Sequence, residues 1–256
     1  MITITREDNM ELMARYPDKY FDLAIVDPPY GILNKTKRGG DYKFNMDEYS
    51  KWDVKPNDEY FNELFRVSRN QIIWGGNYFG QLWQRSEYNK GFIIWDKNQP
   101  ETLNNFSMAE MAWSSLDRPS KIFRYSVRKN RNKIHPTQKP IELYDWLLKM
   151  YAKEGDKILD THLGSGTIAI ACYNANLSLT ACEISETYYF NALKKIKEFV
   201  PKVAIQTSDA DAFSLIFPNQ SNPQSDYFKQ YQEQTIQLDL FRENRIKYYS
   251  IANQGL

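Results

Sequence analysis

A chain that runs Lys157-Ile158-Leu159-Asp160-Thr161-His162-Leu163-Gly164-Ser165-Gly166-Thr167 and continues into Ile168-Ala169-Ile170-Ala171-Cys172 has few ways to fold. A short apolar run enters a Gly-rich turn, and a run of small apolar residues leaves it. This predicts a strand, a tight turn and a helix, with glycines where the backbone must bend sharply and let a ligand approach. A second apolar run, Leu179-Thr180-Ala181-Cys182, ends in Glu183. An acid at the tip of the next strand is where ribose hydroxyls are held in nucleotide-binding sheets. The complete G-x-G-x-x-G is missing, because Gly166 is followed by Thr167, Ile168 and Ala169. That disfavours a nicotinamide dinucleotide and favours a nucleoside without phosphates, of which S-adenosylmethionine is one.

The rest of the chain keeps alternating strand and helix, which predicts an α/β doubly wound sheet. Strands are expected at Ile2-Thr3-Ile4-Thr5, Phe21 to Val26, Gln71 to Trp74, Phe92 to Trp95 and Glu110 to Trp113. Helices are expected from Asn9 to Tyr16 with Asp8 as N-cap, and from Asn57 to Ser68 with Tyr60, Phe61, Leu64 and Phe65 buried. Two more are expected from Pro140 to Met150, with Leu143, Trp146, Leu147 and Met150 facing the core, and from Glu186 to Phe199. Cys172 and Cys182 lie in apolar segments and read as small core residues. The two histidines have no companions at metal-ligand spacing. No apolar run is long enough to span a membrane, and the first residues lack the apolar stretch of a signal peptide, so a cytoplasmic enzyme is expected.

The predicted strand Phe21 to Val26 leads into Asp27-Pro28-Pro29-Tyr30. Such a tetrapeptide can simply be the turn that ends a strand. It can also hold a planar amino group. The Asp carboxylate and the first Pro carbonyl are acceptors, neither Pro has an N–H to compete, and the Tyr ring offers a flat stacking surface.

Three blocks together decide between these readings: Asp27-Pro28-Pro29-Tyr30, His135-Pro136-Thr137-Gln138-Lys139-Pro140, and Asp160 through Thr167. In this order they resemble the amino-methyltransferases of DNA, in the circularly permuted arrangement of the β class, over roughly residues 1–200. The resemblance implies a mostly parallel, seven-stranded Rossmann-like methyltransferase sheet. It implies methyl transfer from S-adenosylmethionine to the exocyclic N6 of an adenine flipped out of duplex DNA, with Asp27, Pro28, Pro29 and Tyr30 catalytic. Relatives that act on cytosine N4 usually have Ser in place of Asp27, and enzymes acting on RNA or protein glutamine generally have Asn there. A binding module that has lost turnover is a further alternative, opposed by the intact Asp27 and Gly164-Ser165-Gly166. At the cofactor the resemblance places His135, Asp160, Gly164, Ser165, Gly166 and Thr167, with Glu183 on the ribose and Thr137 and Lys139 on the methionine carboxylate. His162 stands where the family usually has Phe, against the adenine. Asp8 meets the same ring, with Asp209 as the rival. His135-Pro136 can alternatively cap the helix that follows.

The net charge is only +1, so any nucleic-acid surface must come from charge distribution. Lys121, Arg124, Arg128, Lys129, Arg131 and Lys133 form an acid-free basic run inside a short target-recognition segment, about 114–134. Lys35, Lys37 and Arg38 form a second cluster just after the tetrapeptide. Both are candidates for phosphate contacts. The catalytic domain is expected to span residues 1–204, followed by a polar extension, 205–256. Within that extension Gln237-Leu238-Asp239-Leu240-Phe241 resembles the bacterial sliding-clamp-binding motif, with Gln237, Leu238, Leu240 and Phe241 as contacts. The same apolar residues can instead dock on the catalytic domain.

Overall fold

Asp27 and the glycine turn leave the middle of one large sheet side by side. The computed structural model describes residues 1–32, 53–85, 91–99, 107–126, 133–201 and 205–207, all within one unit, Met1–Ala212. The strands are β1 (Ile2–Thr5), β2 (Phe21–Val26), β3 (Ser68–Trp74), β4 (Phe92–Asp96), β5 (Ala109–Ser114), β6 (Lys121–Arg124), β7 (Lys157–Asp160), β8 (Ser178–Cys182) and β9 (Ile205–Thr207). They lie in the order β6-β4-β5-β3-β2-β7-β8-β1-β9. Pairing is parallel except where β5 runs against β3 and β4. This is the expected α/β sheet, mostly parallel, but its described strands number nine rather than seven. The short strands β6 and β9 hold the two edges. β6 falls in the basic run, and its pairing with β4 could not be read from a charged tetrapeptide. β9 pairs with β1, so the sheet continues past residue 204.

The central strands β2 and β7 are buried along most of their length, as parallel strands covered on both faces must be. From β7 the chain moves outward through β8, and from β2 it moves outward the other way through β3. The reversal falls between β2 and β7, and the crevice beyond the carboxyl ends of strands at such a reversal is where ligands bind in open α/β sheets.

The helices are α1 (Asn9–Ala14), α2 (Asp58–Val67), α3 (Gly80–Trp83), α4 (Ile141–Tyr151), α5 (Thr167–Asn174) and α6 (Glu186–Ile196). Asp8 caps α1 by accepting from the Met10 N–H, and Asn57 caps α2 by accepting from the Tyr60 N–H. The buried stripe of α2 is the one its spacing predicts. The stripe of α4 is rotated from expectation: Tyr144 and Leu148 join Leu143 and Leu147 in the core, while Trp146 and Met150 are half-buried. Trp146 instead packs on Phe123 of the unforeseen strand β6, with ring centres 5.4 Å apart. Cys172 and Cys182 are buried free thiols, as expected. No described helix is long and apolar enough to cross a membrane.

Candidate active site

A cleft of about 1010 Å³ opens beyond the carboxyl ends of the central strands. Its walls include Asp8, the whole Asp27–Tyr30 tetrapeptide, Lys133, the His135–Lys139 segment, His162, Gly164, Ser165 and Glu183. The three sequence blocks therefore converge on one space.

Asp27 sits where β2 ends, with its side chain only 11% exposed. The Tyr30 hydroxyl donates to its Oδ1 at 2.5 Å, and Lys139 Nζ donates to its Oδ2. Burial pushes the Asp27 carboxyl up from its ordinary range, and the Lys139 charge opposes that push. The Tyr30 ring stacks on Tyr78, with centres 4.9 Å apart and planes 18° from parallel. Gly75 at the end of β3 makes room for it. It has φ +71, and a Cβ there would fall 2.1 Å from the Tyr30 ring.

The glycine turn divides its labour. Gly164, at φ +53, lies against the His135 ring in the cleft wall. Gly166 does not line the cleft. A Cβ at that position would fall 2.7 Å from Ile196, so this glycine lets α5 pack on α6. Thr167 begins α5 and is buried, with its hydroxyl 3.3 Å from that of Ser165. Asp160 lies beneath the turn, accepts the His162 N–H at 3.0 Å, and is pushed up to about 7 by burial.

Glu183 ends β8 in the cleft wall. Its Oε2 accepts the Gly164 N–H and its Oε1 the Ser185 N–H, both at 2.9 Å. The Ile184 N–H is a third backbone donor, and since a carboxylate has about four acceptor sites, Glu183 retains capacity for a hydroxyl. His162 accepts from Asn9 Nδ2 at Nε2, 3.2 Å away, which leaves its proton on Nδ1, 2.9 Å from the Thr161 hydroxyl. That hydroxyl lies 2.7 Å from the Tyr60 hydroxyl. Burial holds His162 down to about 3, so the ring is neutral, and it lines the cleft. His135 is also held to about 3, by burial first and by Lys139 and Lys133 next. It does not cap α4, whose N-cap is Pro140; its Nδ1 instead accepts the Thr137 N–H at 3.3 Å.

Lys139 was expected on a cofactor carboxylate. Its ammonium is instead committed to Asp27 and to Glu110 Oε2, 3.2 Å away. Glu110 in turn pairs with Lys97 at 2.7 Å. The sequence reading missed Glu110, Lys97 and Tyr78. An acid within the apolar run Glu110 to Trp113 was the available signal for Glu110, but nothing local announced its partners. Burial raises Glu110, yet the two lysines outweigh it and bring the carboxyl down to about 2. A carboxyl lowered in the folded state stabilises fully above about pH 4.5, and that contribution is lost as pH falls toward 2. The gap in urea midpoint between the wild type and Glu110→Gln is therefore expected to narrow as pH falls below about 4.5. A gap independent of pH would mean that the charge of Glu110 stabilises nothing.

Among the predicted DNA contacts, Lys133 lines the cleft, while Lys121 and Arg124 lie on edge strand β6, Arg124 3.2 Å from Asp96. Lys35, Lys37, Arg38, Arg128, Lys129 and Arg131 lie outside the described residues, as do Asp209 and the motif Gln237, Leu238, Leu240 and Phe241.

Comparison with known proteins follows the same lines. The family model N6_N4_Mtase, described as DNA methylase, matches residues 56–194, more than half of the chain. The type II methyltransferase M.HpaI of Haemophilus parainfluenzae is 25% identical over 230 residues, covering 73% of this chain and 71% of its own. M.BglI of Bacillus subtilis is 26% identical over 253 residues, covering 86% and 70%. Among solved structures, the M1.HpyAVI–SAM complex superposes with a TM-score of 0.54 at 21% identity, over 77% of this chain and 99% of that one. The cytosine-N4-specific PvuII DNA methyltransferase gives 0.56 at 14% identity, over 86% and 94%. These structural likenesses concern the fold. The matched segment contains the His135–Pro140 block, the glycine turn and Glu183, and by that match the chain belongs to the N6/N4 DNA methylase family, enzymes that methylate an exocyclic amine of DNA.

Proposed function

We propose that this protein transfers a methyl group from S-adenosylmethionine to the N6 of an adenine flipped out of duplex DNA. The observation that carries the reading is the placement of the Asp27 carboxylate in the same cleft as Gly164 and Glu183. The residues present fit the cofactor. Glu183 keeps acceptor capacity for a ribose hydroxyl, the neutral His162 ring and Asp8 suit an adenine, and the Thr137 and Ser165 hydroxyls suit a carboxylate. When bound, the cofactor supplies a methyl group activated by a positive sulfur.

The rest of the chemistry belongs to the chain. The lone pair of an aromatic amine is delocalised into its ring and is a poor nucleophile. Hydrogen bonds from the amine to Asp27 and to the Pro28 carbonyl turn that nitrogen toward tetrahedral geometry and localise the lone pair. The gain is positioning and electrostatics, with no covalent intermediate on the protein. The nitrogen gives up its proton to Asp27 as the new bond forms. Reaching an amine inside a duplex requires extrusion of the base, and Tyr30 with its neighbour Tyr78 offers the aromatic surface to receive it. Adenine is preferred over cytosine because an acid, not Ser, opens the tetrapeptide. Lys133 at the cleft and the basic residues of the two clusters are assigned to phosphates. A sliding-clamp contact through Gln237 to Phe241 is supported by sequence alone; it would raise the local concentration of the enzyme on replicated DNA.

The test is transfer of labelled methyl from S-adenosylmethionine to duplex DNA of mixed sequence, followed by nucleoside analysis. N6-methyladenine is the expected product. N4-methylcytosine would keep the mechanism and overturn the base assignment. Cofactor binding without transfer to DNA would overturn the reading itself.

A further inference from the structure

Methylation of an amine at Asp27 does not by itself require a lysine behind the acid, yet the cleft has one. Lys139 stands in the loop before α4 with its side chain 1% exposed. Its Nζ donates to Asp27 Oδ2, pairs with Glu110 Oε2 at 3.2 Å, and lies 5.1 Å from the centre of the Trp74 ring. Glu110 comes from β5 and is held on its far side by Lys97, just after β4. Four charges thus alternate in a row, Lys97, Glu110, Lys139 and Asp27, and the row ends on the acid in the cleft. A buried ammonium costs several kcal/mol unless paired, on the order of the loss seen when one partner of such a pair is removed. Here two carboxylates already claim it.

Resting on the amine-methylation reading, we infer that Lys139 is a positioning residue for Asp27: fixed by Glu110, it keeps the Asp27 carboxylate ionised and aimed at the amine, and it does not receive the cofactor's carboxylate. The geometry gives the reason. Asp27 and Glu110 share one ammonium, so removing it leaves two carboxylates facing one poorly solvated space, where both cannot stay ionised. Glu110 keeps Lys97, so Asp27 is the one that takes up the proton. The other groups around Asp27 cannot replace Lys139. Tyr30 donates a hydrogen bond but carries no charge, the Tyr60 and Tyr144 hydroxyls from α2 and α4 are neutral, and Asp160 at the end of β7 adds repulsion. Lys133 acts on Glu110 and Lys139 and is itself disfavoured as a cation by burial. Burial raises Asp27, and Lys139 is the strongest influence holding it down.

The experiment uses the full chain as wild type, Lys139→Met, Glu110→Gln and the double variant. The readouts are the pH profile of kcat/KM, cofactor affinity by calorimetry, and the carboxyl ¹³C titration of Asp27, assigned with Asp27→Asn. In Lys139→Met, kcat near neutral pH is expected to fall about 100-fold while cofactor affinity stays within about threefold. Its acid limb and the Asp27 titration should both move up by about one pH unit or more. The double variant should regain about tenfold, because the stranded carboxylate is gone. Glu110→Gln, which leaves the Asp27 pair intact, should move the acid limb down, so the inference is read even if Lys139→Met does not fold. A cofactor affinity weakened about tenfold with kcat kept, an unmoved Asp27 titration, or a double variant no better than the single would each overturn it. The titration needs no turnover. An inactive wild type whose Asp27 still responds to Lys139→Met would sink the amine reading and leave standing only the control of the Asp27 charge by Lys139.

Discussion

Asp27→Ala is expected to lower methyl transfer by about 10³-fold while leaving cofactor binding near the wild-type value. The carboxylate is the only acid of the tetrapeptide, and on the proposed reading it localises the amine lone pair in the transition state. Its loss should therefore appear in kcat rather than in KM for the cofactor. The substitution also frees Lys139 from half of its pairing, so some stability should be lost as well. Rates measured well below the thermal midpoint of the variant separate the two effects. Transfer within about tenfold of wild type would remove Asp27 from the chemistry.

Gly75→Ala is expected to act on the same step from a different strand. The new methyl would clash with the Tyr30 ring, 2.1 Å from its nearest carbon, so the ring must move. Tyr30 donates to Asp27 Oδ1 and stacks on Tyr78, and both contacts move with it. A displacement of about 1 Å near reacting groups can cost about 100-fold in rate, and that is the loss expected in kcat. The positive φ of Gly75 adds a backbone cost of roughly 1–2 kcal/mol for any residue with a Cβ. Melting curves should therefore fall by several degrees while the protein stays folded at assay temperature. Unchanged kcat would mean that the Tyr30 position is immaterial to turnover.

The sequence disclosed most of the elements because their signals are local. The strand before Asp27, the glycine turn and the acid at the tip of β8 are each readable from adjacent residues, and Asp27, Gly164 and Glu183 line the cleft. The stripe of α2 followed from spacing alone. What remained hidden depends on tertiary neighbours. The face of α4 turned because Phe123 of β6 received Trp146, and no local pattern in a charged edge strand foretold that. Gly166 looked like a ligand glycine, but its missing side chain serves the packing of Ile196. Lys139 looked like a free donor, and only the fold brings Glu110 and Asp27 to it.

The ion pair that joins Lys139 to Asp27 spans 112 residues of chain. The same cleft also needs β7 to lie beside β2 in parallel register, a pairing more remote still in sequence. Loops of that length close late, since their entropy must be overcome before the contacts can reward it. A fragment holding only the first or only the last of the motif blocks lacks part of the cleft wall. On the proposed reading, a chain still emerging from the ribosome presents Asp27 and Tyr30 early but lacks its cofactor contacts until the glycine turn and Glu183 have been made. On that same reading, competence therefore arrives all at once, and recovery of activity after denaturation is expected to report on completion of the whole central sheet.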